Sequence, residues 1–311
     1  MRPYAYFRKQ IVPLEEANVN IMTHALNYGT GCFEGIRGNW NAEHEQLYLF
    51  KVREHFERLK RSARILRIEI SESVDELCEI TTEMVRRSDF QQDVYVRPLA
   101  YKSGSVIGVR LHGEDLQDDV SIFVAPFGNY LSPGGVRCCT SSWRRVPDTS
   151  IPGRAKVTGI YINSALAHTE AQDRGYDEAV MLTQEGNVSE GPGENIFILS
   201  GGQLVTPAPA EGILIGITRN TVMELAKREL GIETIERQIP RSELYSADEC
   251  FMTGTAAHLT PVVELDNRLI GTGAPGALTE KLGALYRDII LGNNATYRDW
   301  CTPVTPAIVG A

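Results

Sequence analysis

The chain has 311 residues, 42% of them hydrophobic and 23% charged, with a formal net charge of −9. That length exceeds an ordinary single domain and predicts two packed units with ample apolar material for their cores. The acidic balance speaks against a nucleic-acid partner, because phosphate binding needs a basic face, and the pairs Arg86-Arg87 and Arg144-Arg145 read as solvated surface.

Met1 to Tyr6 lacks the apolar run of a secretion signal, and no stretch approaches the roughly 20 apolar residues of a membrane span. A cytoplasmic protein without membrane contact is expected. Strands are predicted at Cys32–Ile36, Gln46–Phe50 and Val94–Tyr101, with Val120–Ala125 a further buried strand. Between them His55, Phe56, Leu59, Ala63 and Leu66 recur at helical spacing. A second helix opens at Ser73, where Glu76 completes a capping box. Two prolines and three glycines between Pro126 and Gly135 then break both periodicities. The predicted organisation is a small α/β domain over 1–125, a linker over 126–136 and a large domain over 137–311.

After the linker a helix is expected from Gly159 to Arg174. An antiparallel meander follows at Glu178–Leu182, Asn195–Leu199 and Leu204–Thr206. Thr218–Leu230 reads as an amphipathic helix stopped by Gly231, Glu249–Met252 and Leu259–Leu265 as strands, and Ala277–Leu291 as a closing helix. The six cysteines and six histidines are too dispersed for a zinc site, so no metal is expected and the thiols read as reduced and buried.

Four segments could carry chemistry. Lys156 stands among small and apolar neighbours in Ile151-Pro152-Gly153-Arg154-Ala155-Lys156-Val157-Thr158-Gly159. A lysine in a desolvated pocket loses its proton more easily, as Schiff-base chemistry requires, although the same residue could be a solvated surface lysine. Gly216-Ile217-Thr218 opens a helix whose free amides and dipole suit a phosphate, or Thr218 is an ordinary N-cap. Gly254-Thr255-Ala256-Ala257 follows a strand and lets backbone amides approach a ligand, or is a simple tight turn. Glu190, on the rigid Ser189-Glu190-Gly191-Pro192-Gly193-Glu194-Asn195 turn, could bond a heterocyclic nitrogen, with Glu194 as competitor. Gly271-Thr272-Gly273-Ala274-Pro275-Gly276 fits G-x-G-x-x-G, but one helix and a tail cannot complete the βαβ unit that motif needs.

These segments, with Met22–Thr30, Phe33-Glu34-Gly35-Ile36-Arg37, Arg53-Glu54-His55, Arg58-Leu59 and Tyr95-Val96-Arg97-Pro98, resemble the fold-type IV pyridoxal-phosphate enzymes. The nearest likeness, from about Tyr6 to Asp288, is to the branched-chain amino acid aminotransferases. The resemblance implies an α/β fold (α+β, two-domain) with a small α/β sandwich domain and a larger pseudo-barrel domain. It implies pyridoxal 5′-phosphate as cofactor, Lys156 as its Schiff-base lysine and proton shuttle, Glu190 as the partner of the ring nitrogen, and Tyr161 on the phenolic oxygen. Arg58, Gly216, Ile217, Thr218, Gly254 and Thr255 match the phosphate cup. Tyr95, Arg97 and the amides of Thr255 and Ala256 match the carboxylate sites; Phe33, Tyr130 and Tyr28 match the side-chain pocket, with Tyr28 donated by a neighbouring subunit. The implied reaction is transamination between leucine, isoleucine or valine and 2-oxoglutarate in a homodimer, or a higher assembly of it. His258, Phe127 and the loop Ser103–Val109 depart from the usual pattern, which bears on substrate range and leaves (R)-primary amines as further donors. The alternatives on the same fold are a D-amino acid aminotransferase, whose family traps the α-carboxylate with an Arg-x-His element matched in spacing here only by Arg53-Glu54-His55, an (R)-amine transaminase and an aminodeoxychorismate-type lyase.

Overall fold

A computed structural model describes residues 2–128, 131–132 and 134–305. The chain divides into two compact units, Met1–Gly128 with Ala155–Gly159 and Arg287–Ala311, and Asn129–Arg154 with Ile160–Tyr286.

The first unit contains β1 (Tyr4–Phe7), β2 (Gln10–Pro13), α1 (His24–Tyr28), β3 (Gly31–Phe33), β4 (Ile36–Asn41), β5 (Gln46–Phe50), α2 (Val52–Ile65), α3 (Val74–Ser88), β6 (Val94–Lys102) and β7 (Asp118–Pro126). With a terminal strand, Cys301–Pro303, they form one antiparallel sheet in the order terminal strand, β5, β4, β6, β7, β1, β2, with β3 also on β6. Phe56 and Leu59 of α2 and Leu77 and Met84 of α3 are buried in one core with Ile36, Leu49, Val94, Val96, Ile122 and Val124. Each such side chain contributes roughly 1.5–3 kcal/mol by leaving water. The capping box at the start of α3 is formed: the Glu76 N–H donates to Ser73 Oγ at 3.1 Å and the Ser73 N–H to Glu76 Oε2 at 2.7 Å.

In β6 the period of two sends Val94 and Val96 into that core and puts Tyr95, Arg97 and Leu99 on the other face. Phe33 lies directly across from Leu99. The predicted strand Cys32–Ile36 is thus two strands, broken at Glu34-Gly35. At Gly35 a side chain would meet the Tyr95 hydroxyl, 1.8 Å from where its Cβ would stand.

The second unit contains β8 (Val136–Thr140), α4 (Tyr161–Asp173), β9 (Glu178–Val180), β10 (Asn195–Ser200), β11 (Gln203–Pro207), α5 (Ile217–Leu230), β12 (Thr234–Arg237), α6 (Arg241–Leu244), β13 (Glu249–Gly254), β14 (His258–Leu265) and β15 (Arg268–Leu269), and α7 (Ala277–Ile290) begins in it. Its sheet runs β12, β11, β10, β13, β14, β8, β9, with β15 on β14. No pairing among the described residues joins β12 to β9, so this barrel-like sheet is not closed by hydrogen bonds. Phe197 and Phe251 stack within it, 5.0 Å apart and 4° from parallel.

Three expectations are corrected. The meander holds for β10 and β11, but β9 pairs in parallel with β8. The chain then doubles back through an antiparallel bridge between Leu182 and Val188. The predicted boundaries place 137–311 in one domain, whereas Ala155–Gly159 and the segment from Arg287 belong to the first unit. The cause is pairing: Phe33 N–H donates to the Lys156 carbonyl at 3.0 Å, Cys32 bridges Val157, and the terminal strand pairs with β5. Thirdly, Arg145 is not solvated surface; it is 6% exposed.

Candidate active site

In the first unit the predicted site residues Lys156, Arg97 and Tyr95 gather around Phe33. The Lys156 backbone is held against β3 by the Phe33 bond, and its N–H donates to Ser62 Oγ of α2 at 3.2 Å. This leaves Lys156 half-buried, with Nζ 4.9 Å from the centre of the Phe33 ring. The Arg97 guanidinium lies 4.4 Å from the same ring, and its Nη2 donates to the Tyr95 hydroxyl at 3.3 Å. Arg97 Nε is buried without a hydrogen-bond partner, so this guanidinium retains donor capacity for an anion. Three predicted site residues and the predicted nucleophile are therefore neighbours.

Arg58 is 7% exposed and grips Glu34 with two bonds, Nε to Oε1 at 2.6 Å and Nη2 to Oε2 at 2.9 Å. His55 Nδ1 lies 2.7 Å from Glu34 Oε2. Burial alone would raise the Glu34 carboxyl. The Arg58 charge and the bonds from Arg58 and His55 outweigh it and hold the group well below the usual carboxylate range. Burial also lowers His55, with Arg58 and Lys156 adding to the effect against Glu34. Tyr28, on α1, is 37% exposed and accepts from the Gly108 N–H at 3.2 Å.

In the second unit three predicted segments converge on the first residues of β10. Glu190 is 5% exposed. Its Oε1 lies 2.7 Å from Arg145 Nη2, while Oε2 accepts from Asn195 Nδ2 and from the Leu214 N–H, both at 3.0 Å. Gly216 caps α5 with no side chain of its own, and a Cβ there would stand 2.0 Å from Asn195 Oδ1. Asn195 thus occupies the space that glycine vacates. Thr218 falls at the second helical position, buried at 4% exposure, so the N-cap reading of Thr218 is corrected to Gly216. Ile217 opens the helix. Gly254 ends β13 across from Gly193 and Glu194, and Thr255 and Ala256 form the half-buried turn after it. Tyr161 is half-buried at the first position of α4, and Tyr130 lies outside the described residues.

Glu190 and Glu194 part company electrostatically. Glu194 is buried beside other carboxylates: burial first, then the Glu178 charge and that of Glu190, push it well up, against a single bond of 3.0 Å from the Gly193 N–H and the pull of His168. Glu178 is pushed up by burial in the same way, and His168 Nδ1 lies 2.8 Å from its Oε1. Glu190, gripped by a guanidinium and two further donors, is the carboxylate built to be an anion.

Two rival motifs lose their geometry. The N-terminus of α7, beside the G-x-G-x-x-G match, is filled by the chain's own Glu249, which accepts from the N–H groups of Leu278 at 3.0 Å and Thr279 at 2.9 Å. A phosphate has no place there. In the Arg53-Glu54-His55 element, Arg53 is an exposed ion-pair partner of Asp75 while His55 is buried on Glu34, so the two side chains cannot clamp one carboxylate. Sequence reasoning missed Arg145 and Asn195 as supports of Glu190; only the acid-flanked turn at 189–195 hinted at the second.

A lysine and a guanidinium lie around one aromatic ring in the first unit and a carboxylate is set beside glycine-built turns in the second, on a fold shared with the fold-type IV aminotransferases, α+β two-domain enzymes. The chain belongs to the class IV amino-transferase family, whose model matches residues 31–265. A protein of Aquifex aeolicus (strain VF5), named probable branched-chain-amino-acid aminotransferase, is 51% identical over 302 residues, 97% of this chain and 96% of its own. The solved branched-chain aminotransferase of Thermoproteus uzoniensis with norvaline is 47% identical, with a TM-score of 0.92 over 98% of this chain and 99% of its own. The branched-chain amino acid aminotransferase of Thermobaculum terrenum, solved in its PLP-bound holo form, is 38% identical, with a TM-score of 0.91 and coverage of 98% and 99%.

Proposed function

We propose that this protein is a pyridoxal 5′-phosphate-dependent branched-chain aminotransferase, transferring the amino group of L-leucine, L-isoleucine or L-valine to 2-oxoglutarate to give the 2-oxo acids and L-glutamate. The observation that carries the reading is the corner where Glu190, Asn195 and Gly216 meet, in a chain 51% identical to a probable branched-chain-amino-acid aminotransferase.

When bound, the cofactor supplies an aldehyde and an electron-withdrawing ring that stabilises negative charge at the substrate Cα. Lys156 would be the residue that carries the cofactor, and its Nζ would move the proton between substrate Cα and cofactor C4′. Glu190 keeps a proton on the ring nitrogen, and Tyr161 donates to the phenolic oxygen. The amides opening α5 at Ile217 and Thr218, beside Gly216, the turn Gly254-Thr255 and the Arg58 guanidinium would be the groups that hold the phosphate. Unlike α7, whose amides are taken by Glu249, α5 carries no capping side chain, which supports this assignment.

The amides of Thr255 and Ala256 bind the substrate α-carboxylate. Phe33, with Tyr28 of a second copy, would wall an apolar pocket for the branched side chain, and Arg97 with Tyr95 would receive the second carboxylate of glutamate. The exposed Ile21, Leu26, Ile107 and Val109 suit burial against a second copy, and we assign a homodimer in which Tyr28 serves the neighbouring site. A cytoplasmic location fits the absence among the described residues of any helix long and apolar enough to cross a membrane.

The test is a donor panel of L-, D- and (R)-amine substrates with 2-oxoglutarate and pyruvate as acceptors. Turnover of L-branched donors with 2-oxoglutarate and ping-pong kinetics are expected; preference for D-donors, or pyruvate release without an acceptor, would overturn the reading. Borohydride reduction followed by peptide mapping should place the cofactor adduct on Lys156, and Lys156→Ala should abolish turnover.

A further inference from the structure

We infer that Arg145 is a positioning residue for Glu190: its guanidinium fixes the negative charge on that carboxylate, so that a proton shared with the cofactor's ring nitrogen rests on the nitrogen. The inference rests on the assignment of Glu190 made above.

The geometry is that of a built support. Arg145 is 6% exposed, and its position is set by its own N–H donating to the Leu182 carbonyl at 2.8 Å and by Gln184 Nε2 donating to its carbonyl at 3.1 Å. Its Nε points to the Gly212 carbonyl at 3.4 Å, which leaves Nη2 on Glu190 Oε1 at 2.7 Å. Asn195 Nδ2 and the Leu214 N–H take the other oxygen. Hydrogen bonds and a cation directed at the charged form of a carboxyl reduce its basicity. Such a carboxylate remains an anion beside a basic nitrogen and stabilises the protonated ring without taking the proton back.

Glu194 shows what the arrangement prevents. Four residues away, it is buried with no guanidinium bonded to it among the described residues, and burial with neighbouring carboxylates favours its neutral form. Without Arg145, Glu190 would stand in buried surroundings beside the Glu194 carboxylate and would lose the guanidinium that holds Oε1. The proton would then be drawn toward the carboxylate, and the ring would lose its capacity to accept electrons.

The test uses Arg145→Met, Arg145→Lys and Glu190→Gln, each as folded holoenzyme and as cofactor-free protein. In wild type bound to cofactor labelled with 15N in the ring, the nitrogen resonance should be that of a protonated ring. Arg145→Met should move it toward the unprotonated position, and Arg145→Lys, which keeps the charge, should restore most of the shift. In cofactor-free protein labelled at the glutamate carboxyl carbon, the Glu190 signal should titrate at higher pH in Arg145→Met than in wild type. Turnover should fall on the order of 10-fold to 100-fold, as when the supporting partner of a ligating side chain is removed, with KM for leucine little changed. If Glu190→Gln shifts the ring nitrogen and Arg145→Met does not, Arg145 is only structural and the inference fails alone. If Glu190→Gln leaves the nitrogen unchanged, the Glu190 assignment fails and takes this inference with it. Should Arg145→Met not fold, Arg145→Lys and Arg145→Gln decide the question by the same two resonances.

Discussion

At the scale of single residues, the buried charges make opposite demands on pH. Glu34 is held ionised by Arg58 and His55, so its folded value lies below its unfolded value of about 4.3. The stability it contributes is present above that unfolded value and is lost as acid protonates it. Arg58→Ala should therefore destabilise the protein by about 3–5 kcal/mol at pH 7, because it strands a buried carboxylate. Denaturant unfolding at pH 7 checks this, and a cost under about 1 kcal/mol would contradict it. Glu178 and Glu194 behave inversely. Their folded values are raised by burial, so the neutral forms are favoured and stability falls as the pH rises through the neutral range. Glu194→Gln should flatten that fall, the variant gaining on wild type between about pH 5.5 and 8.5 in urea unfolding; a constant difference across that range would sink the idea. Much at this scale was legible beforehand. Lys156, Phe33, Tyr95 and Arg97 were singled out by sequence and are neighbours in space. Arg145 was not, because a guanidinium in an Arg-Arg pair carries no local sign of which carboxylate, 45 positions later, will bury it.

At the scale of elements, glycines mark where one segment must come close to another. Gly216→Ala would drive a methyl into Asn195 and thereby disturb Glu190, so cofactor affinity should drop by about tenfold or more with little loss of fold. Fluorescence titration of the cofactor-free variant measures it, and unchanged affinity would count against the shared corner. Ser73→Ala should instead cost about 1 kcal/mol of stability and leave turnover untouched, since it removes a helix cap remote from the chemistry. Thermal unfolding beside a rate assay separates the two outcomes. Helices α2, α3, α5 and α7 could be read from periodicity and caps because those signals are local. The strands β1, β2, β8 and β12 escaped: four or five residues are too few to establish an alternating pattern, and β8 follows directly on a stretch broken by proline and glycine. That β9 lies parallel to β8 is decided by the intervening helix and by hydrogen bonds that no window of sequence contains.

At the scale of the whole molecule, the two units were foreseen from length and composition, but their membership was not. Five residues around Lys156 and the last stretch of chain both belong to the first unit. The Lys51 N–H donates to the Trp300 carbonyl at 2.7 Å, the lysine Nζ lies 3.9 Å from the Trp300 ring, and Cys301–Pro303 pairs with β5. Removing the residues after Asp299 should therefore lower the melting temperature of the first unit by several degrees. Hydrogen exchange at Tyr48 and Phe50 checks this, and unchanged protection there would argue against it. The same strand has a consequence for synthesis. A ribosome releases the N-terminal half long before residue 301 exists, yet β5 waits for that residue to complete its edge. The nascent first unit must therefore persist with an unfinished border until Cys301–Pro303 emerges, and its last hydrogen bonds close only after the second unit has been made.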